Sequence, residues 1–180
     1  MKKPTMLVTA ALIGAALAGC AATVQRGPTA DAAPIRIPAE SSRNIVMNVT
    51  GSSVATESDD WEPFKGEWRA AMAAAAASRG AGFSTQEGAP RATGQPGTLV
   101  VVDVNDYRYL TPGARFGLGV MIGNAYVDAK VRFADLKTGA SLGERTYNTS
   151  SSAWQGIFSA MTDKQVQAIC REVIAEIDPR

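Results

Sequence analysis

From Ala125 to Phe133 the chain alternates strictly. Ala125, Val127, Ala129, Val131 and Phe133 are apolar, and Tyr126, Asp128, Lys130 and Arg132 stand between them. Successive side chains on a strand point to opposite faces, so this pattern buries one face of a strand and wets the other. Lys137-Thr138-Gly139 follows with turn chemistry, which predicts a hairpin and a returning strand over 141–149. A sheet with one dry face needs a covering layer, and the remaining apolar periodicity has to supply it.

Two predicted helices do so. Ser58-Asp59-Asp60 offers caps for the first, and Pro63 suits a first turn, where its missing N–H costs nothing. Phe64, Trp68, Met72 and Ala75 recur at helical spacing, the alanine-rich run 70–77 has high helix propensity, and Gly80 supplies a stop. The second helix opens at Thr162, with Gln165 three residues on reading as a capping box. Its apolar stripe is Val166, Ile169, Cys170, Val173, Ile174 and Ile177, and Pro179 ends it. Further strands are predicted from Asn44 to about Val54, briefly at 83–85, and from Leu99 to Tyr109. In the last of these, Val100, Val102 and Val104 fall on one side and Asp103, Asn105 and Tyr107 on the other. The order predicts an α+β fold: a single, mostly antiparallel sheet of about four to five strands with two helices packed on one face.

The N-terminus carries a different signal. Lys2 and Lys3 precede an uncharged apolar stretch from about Met6 to Leu17, which runs into Leu17-Ala18-Gly19-Cys20. The stretch is shorter than the roughly 20 residues a spanning helix needs, and charge, short apolar core and small residues make the secretory pattern. Leu17-Ala18-Gly19-Cys20 resembles the lipobox of bacterial lipoproteins. The resemblance implies that the Cys20 thiol is acylated with palmitate-type chains and that the leader is cut before it. Ala21, where an inner-membrane retention signal would place aspartate, implies sorting to the outer membrane, on its periplasmic side. Several acyl chains at about 0.8 kcal/mol per buried CH2 hold firmly. Three spans are therefore expected: a signal peptide over 1–19, the lipidated cysteine and a flexible tether over 20–42, and a single α+β domain over 43–180. The tether reading rests on Pro28, Pro34 and Pro38 and the lack of any period.

Composition narrows the chemistry. Loss of Lys2 and Lys3 with the leader takes the net charge from +1 to −1. That balance leaves no basic footprint for nucleic acid and no polybasic patch for anionic lipid. The chain has no histidine, which removes the commonest general base and metal ligand, and no Gly-x-Ser-x-Gly elbow is present. No catalytic residue, metal site or cofactor is expected. Cys170 has no intramolecular partner once Cys20 is acylated. It reads as a small core residue, with an intermolecular disulfide as the alternative. Asp103, Asp106, Arg108, Asp128, Lys130, Arg132 and Asp135 read as a solvated cross-strand ladder, with a binding face as the alternative.

The glycine-rich stretch from Gly113 to Gly123 is not a dinucleotide fingerprint. After Gly117 and Gly119 the third glycine arrives one residue late, and a strand pattern follows where a helix should open. Three readings stay open: a bent or bulged connection, a self-association surface made by Phe116, Gly117, Leu118, Gly119, Val120 and Gly123, or membrane insertion. For the last, the stretch is too short to supply a full hairpin of spanning strands of about 9–11 residues each.

Phe116-Gly117-Leu118-Gly119, followed by Tyr126-x-Asp128-x-Lys130-Val131-Arg132-x-x-Asp135-x-x-Thr138-Gly139, resembles a stretch in lipoproteins of the curli-secretion channel family. The element order over residues 44–178 is similar to that family's periplasmic domain, and to small bacterial lipoproteins carrying an α/β domain of this pattern. The resemblance implies an envelope-assembly or export setting and carries over no catalytic residues. The family has a second long membrane-hairpin segment where this chain has only about residues 150–161, which argues against a full pore. The expectation is a lipid-anchored, non-enzymatic binding or scaffold module of the outer membrane, facing the periplasm. The alternative is a subunit of an oligomeric envelope assembly or export device. The expected partners are the membrane through covalent lipid, an envelope protein and a second copy of the chain as a homo-oligomer, and no nucleic acid.

Overall fold

The computed structural model describes residues 23–26, 34–110, 125–150 and 162–179. The leader, Cys20 and the glycine-rich residues Phe116, Gly117, Leu118, Gly119, Val120 and Gly123 lie outside the described residues. The elements are β1 (Thr23–Arg26), β2 (Asn44–Gly51), α1 (Ser53–Thr56), α2 (Trp61–Ser78), β3 (Gly82–Gln86), β4 (Thr98–Arg108), β5 (Tyr126–Asp135), β6 (Ser141–Ser150) and α3 (Thr162–Ile177).

The strands form one sheet in the order β1-β6-β5-β4-β2-β3. β5 pairs antiparallel with β4 and β6, and β1 antiparallel with β6. β2, however, runs parallel to both β3 and β4. The α+β class stands, but the expected four to five mostly antiparallel strands and two helices are corrected to six strands in a mixed sheet and three helices among the described residues. A parallel neighbour needs a crossover that returns the chain to its starting end, and α2 is that crossover between β2 and β3. The added strand, β1, comes from the span read as a free tether: Thr23–Arg26 pairs with Tyr147–Ser150 and covers part of an otherwise open edge of β6. Four residues carry too little periodicity to be read as a strand. The added helix, α1, is a single turn capped by Ser52, whose Oγ accepts from the Ala55 N–H at 3.2 Å.

One face of the sheet lies under α2 and α3. Phe64, Trp68 and Met72 from α2 and Val166, Ile169, Val173 and Ile177 from α3 are buried against Val100, Val102, Val104, Val127, Val131 and Phe133. Burying each large side chain contributes about 1.5–3 kcal/mol, so this interface dominates the fold. The apolar periodicities of α2, β5 and α3 fall where expected. At the stop of α2, the Ala81 N–H donates to the Ala76 carbonyl at 3.0 Å. Its start differs from expectation: Asp60 occupies the cap position but makes no side-chain capping bond, and Ser58 Oγ instead accepts from the Asp60 N–H at 3.2 Å.

The other face holds a second, smaller apolar cluster of Val46, Leu99, Val101 and Leu136. Segment 87–97 is tied across this side. Asn48 Nδ2 donates to the carbonyls of Gln86 and Gly88 at 3.0 Å each, and the Thr93 N–H donates to the Leu136 carbonyl at 2.9 Å. The unbroken run Leu99-Val100-Val101-Val102 is what a strand buried on both faces requires; alternation alone accounts for only half of it. Further along, this face is the polar ladder expected. Lys130 pairs with Glu144 at 3.5 Å, Asn105 Nδ2 donates to Asp128 at 3.4 Å, and Thr50 Oγ1 donates to Asp103 at 3.3 Å. At such exposed positions each contact contributes at most about 1 kcal/mol.

Two turns fix the strand ends. In the β5–β6 hairpin, the N–H and hydroxyl of Thr138 both donate to Asp135 Oδ1 at 2.8 Å, which holds that carboxyl below the usual carboxylate range. Gly139 takes φ +79°, a conformation that favours glycine. At the entry to β4, Gly97 O accepts from the Leu136 N–H at 2.9 Å. A Cβ on Gly97 would meet the Asn44 carbonyl oxygen at 2.7 Å and Leu136 Cδ2 at 2.8 Å. Gly97→Ala is therefore expected to lose about 1–3 kcal/mol of stability, seen as a lower urea midpoint at unchanged slope. An unchanged midpoint would mean that the β4 entry yields freely.

Candidate functional site

One end of the sheet is built from the C-termini of β2, β4 and β6 and the N-termini of β1 and β5. There Arg108 faces Tyr126, Tyr126 faces Ser150, and Ser150 faces Thr23. From this end the chain leaves β4 for residues 111–124 and β6 for residues 151–161, and here β1 begins, three positions after Cys20. The sequence-predicted site residues, Cys20 and the glycine-rich set, thus attach to a described framework without belonging to it.

The first turn of α3 clamps that framework through buried polar groups. Thr162 Oγ1 accepts from the Leu110 N–H at 2.8 Å and donates to the Arg108 carbonyl at 3.3 Å. Gln165, fully buried, donates from Nε2 to the Ala125 carbonyl at 2.6 Å. Its Oε1 accepts from Thr149 Oγ1 at 2.9 Å, and Thr149 Oγ1 in turn accepts from the Val127 N–H at 2.9 Å. One helical turn therefore gathers the ends of β4, β5 and β6. The expected Thr162–Gln165 capping box is corrected: both side chains serve strand backbone and Thr149, because a buried amide must find partners and strand ends offer them.

A bulge between Val104 and Asp106 reverses the phase of β4. Tyr107, expected on the wet side, lies opposite Val127 and faces the helices. Its ring stacks on Phe64 with centroids 4.0 Å apart and planes 5° from parallel, and Trp61 lies 6.2 Å from both rings. Tyr107 donates to the Ala55 carbonyl at 3.5 Å, and Tyr109 to Glu67 at 3.4 Å. Burial raises both hydroxyl pKa values, and the Glu67 carboxylate adds to the effect on Tyr109. Tyr126 donates to Asp106 at 2.8 Å, and that bond raises its pKa in the same direction. None of the three has the depressed pKa of an activated nucleophile.

Cys170 is fully buried, and burial pushes its thiol pKa up. It is a core residue, and its inert thiol leaves the disulfide alternative without an accessible sulfur. Arg145, on the inward phase of β6 opposite Val131, forms a two-point ion pair with Glu176 of α3 at 3.3 Å for both bonds. The two side chains are 6% and 13% exposed. Sequence reasoning missed this pair. The available signal was a charged residue in the dry phase of a strand, with an acid near the end of an apolar helix stripe.

Two open hollows mark the described surface. One, about 200 Å³, is lined by Ala71, Ala74, Ala75, Ser78, Gln167 and Arg171 between α2 and α3. The other, about 320 Å³, lies among Ile37, Ser42, Arg43, Ile177 and Asp178. Ser42 in the second donates to the Ala39 carbonyl at 2.9 Å. Among the described residues no three His, Cys, Asp or Glu side chains gather as a metal site. No described helix is long and apolar enough to cross a membrane.

No family model and no curated protein matches the sequence. Solved structures with a related arrangement include a PelC dodecamer from Paraburkholderia phytofirmans: 16% identical, TM-score 0.42, covering 81% of this chain and 96% of that one. A Xanthomonas campestris protein of the DUF330 family is 10% identical, with a TM-score of 0.45, and the match covers 76% of this chain and 86% of its own. A presumed lipoprotein from Caulobacter crescentus is 16% identical, with a TM-score of 0.33, over 72% and 86% of the two chains. At these TM-scores the likenesses carry no argument about function, and the curli-secretion resemblance gains no support from them.

The polar clamp makes a direct prediction. Thr149→Val removes a partner from the buried Val127 N–H and from Gln165, and is expected to cost about 1–3 kcal/mol in urea unfolding. Combined with Gln165→Leu, the two losses are expected to fall short of additivity by about 0.5 kcal/mol or more. Strict additivity would separate the two residues energetically.

Proposed function

We propose that the protein is a lipid-anchored, non-enzymatic binding or scaffold module on the periplasmic side of the outer membrane. The observation that carries this reading is Leu17-Ala18-Gly19-Cys20 at the end of a short, uncharged apolar stretch behind Lys2 and Lys3. The leader is 1–19, Cys20 bears the lipid, and a single α+β domain follows. Because Thr23–Arg26 is part of the sheet, the link between anchor and domain is a few residues rather than the whole of 20–42. The non-enzymatic reading is supported by the lack of any histidine, by tyrosine and cysteine hydroxyls and thiol whose pKa values move away from nucleophilic activation, and by hollows lined mainly with alanine, isoleucine and isolated polar groups.

A second reading, a subunit of an oligomeric envelope assembly, is favoured by β3. It is an edge strand whose Ser84 and Thr85 are exposed, and an uncovered edge is a template for pairing with another chain.

Cells fed a fatty-acid analogue should label the wild-type protein, and Cys20→Ala should lose the label. Equal labelling of the two would remove the anchor. Sedimentation of the detergent-extracted lipoprotein is expected to show a species larger than one chain if the oligomeric reading is right; a monomer at high concentration excludes it.

A further inference from the structure

We propose that the sheet end bearing Val54, Trp61, Tyr107 and Tyr109 is a second membrane contact, resting on the surface of a zwitterionic bilayer beside the acylated Cys20. The inference rests on the lipidation reading above and adds an orientation and a contact surface to it.

Chain length sets the geometry. Thr23 is held opposite Ser150, and only Ala21 and Ala22 separate it from Cys20. At about 3.3–3.6 Å per residue, the acylated sulfur stays within roughly 10 Å of that point. The sheet order places β4 three strands from β1, about 14 Å at a strand spacing of roughly 4.8 Å. The β4 terminus and the aromatic group beside it therefore lie at the same level as the anchor, a short lateral distance away. The β5–β6 hairpin, at the far end of β6, stands roughly 30 Å off at about 3.3 Å per residue. A lipid attached so close to one end of a rigid sheet brings that end, and not the hairpin, to the membrane.

The chemistry of the surface fits that place. Val54, 70% exposed, is the large hydrophobic side chain most open to solvent among the described residues. It sits on α1, whose Ala55 carbonyl accepts from Tyr107. Trp61, Tyr107 and Tyr109 are half-buried beside it, with apolar ring bodies and polar tips, the side chains that settle at the headgroup level of bilayers. The rim is acidic: Glu57, Asp59, Asp60 and Glu62 surround the patch, against Lys65 over the Trp61 ring. An anionic lipid surface would repel that rim, which is why the partner is a zwitterionic one.

The test uses the full, acylated lipoprotein in vesicles of phosphatidylethanolamine and phosphatidylcholine. Val54→Cys introduces an exposed thiol for an environment-sensitive dye, since Cys20 is acylated and Cys170 is buried. Lys137→Cys, exposed in the β5–β6 hairpin, serves as the distant control. A phospholipid carrying a nitroxide near its headgroup is expected to quench the dye at position 54 at least twofold and leave the dye at 137 unchanged. Replacing part of the lipid with phosphatidylglycerol should weaken the quenching at 54. Equal quenching at both positions, or none at 54 in protein that floats with the vesicles, overturns the orientation while leaving the anchor intact. Protein that lacks the acyl mass and stays behind on flotation overturns the anchor, and the orientation with it.

Discussion

The shallow apolar face shared by β2, β4 and β5 is the constraint on which the rest of the molecule depends. Val100, Val102, Val104, Val127, Ala129 and Val131 are short or branched, and all are buried. A face of this kind cannot fill its own cover, so bulk has to come from the helices. Phe64, Trp68 and Met72 supply it from α2, and Ile169, Ile174 and Ile177 from α3. The alanines of α2 that point inward, Ala71, Ala75 and Ala76, let the helix approach closely. Small residues on one layer and large ones on the other give the interdigitation that close packing requires.

Apolar burial is non-directional and leaves the docking of α3 free to slide. Directional bonds remove that freedom. Thr162 and Gln165 bind the ends of β4 and β5 and the Thr149 hydroxyl of β6 at one end of α3, and Glu176 binds Arg145 near the other. A buried ion pair or amide is weak as a source of net stability, because desolvation offsets most of the attraction. Its consequence is geometric: a slip of α3 by one residue would leave several buried groups without partners at once. The helix is thereby held in register with the strand ends from which 111–124 and 151–161 depart.

That fixed register gives the functional reading its mechanical sense. If Cys20 is tied to a membrane, the two residues between it and β1 transmit the position of the lipid directly to the sheet. A long free tether would leave the domain to tumble, whereas a strand paired four residues deep restricts how it faces the bilayer. The aromatic group around Phe64 and Tyr107 then stands on the membrane side because the bulge in β4 turned Tyr107 inward, where it packs the end of α2 against the strand.

Much of this architecture is legible residue by residue. The β5 alternation, the Asp135-to-Gly139 hairpin, the Phe64–Trp68–Met72 face, the α3 stripe and the burial of Cys170 all follow from local periodicity, since period two and period 3.6 are properties of neighbouring residues. The lipobox at Cys20 is likewise a contiguous pattern, and it shapes the expected location without any fold. Other features depended on groups far apart in the chain. β1 exists only because β6 offers it an edge. β2 runs parallel only because α2 carries the chain back. Tyr107 faces the helices only because a bulge opposite β5 shifts its phase, and Thr162 and Gln165 abandon the cap they could have formed because strand ends stand within reach. Local sequence thus determined which segments are strands and helices and which faces are dry; tertiary structure decided their pairing, direction and buried polar partners, because those bonds join residues that no short-range pattern connects.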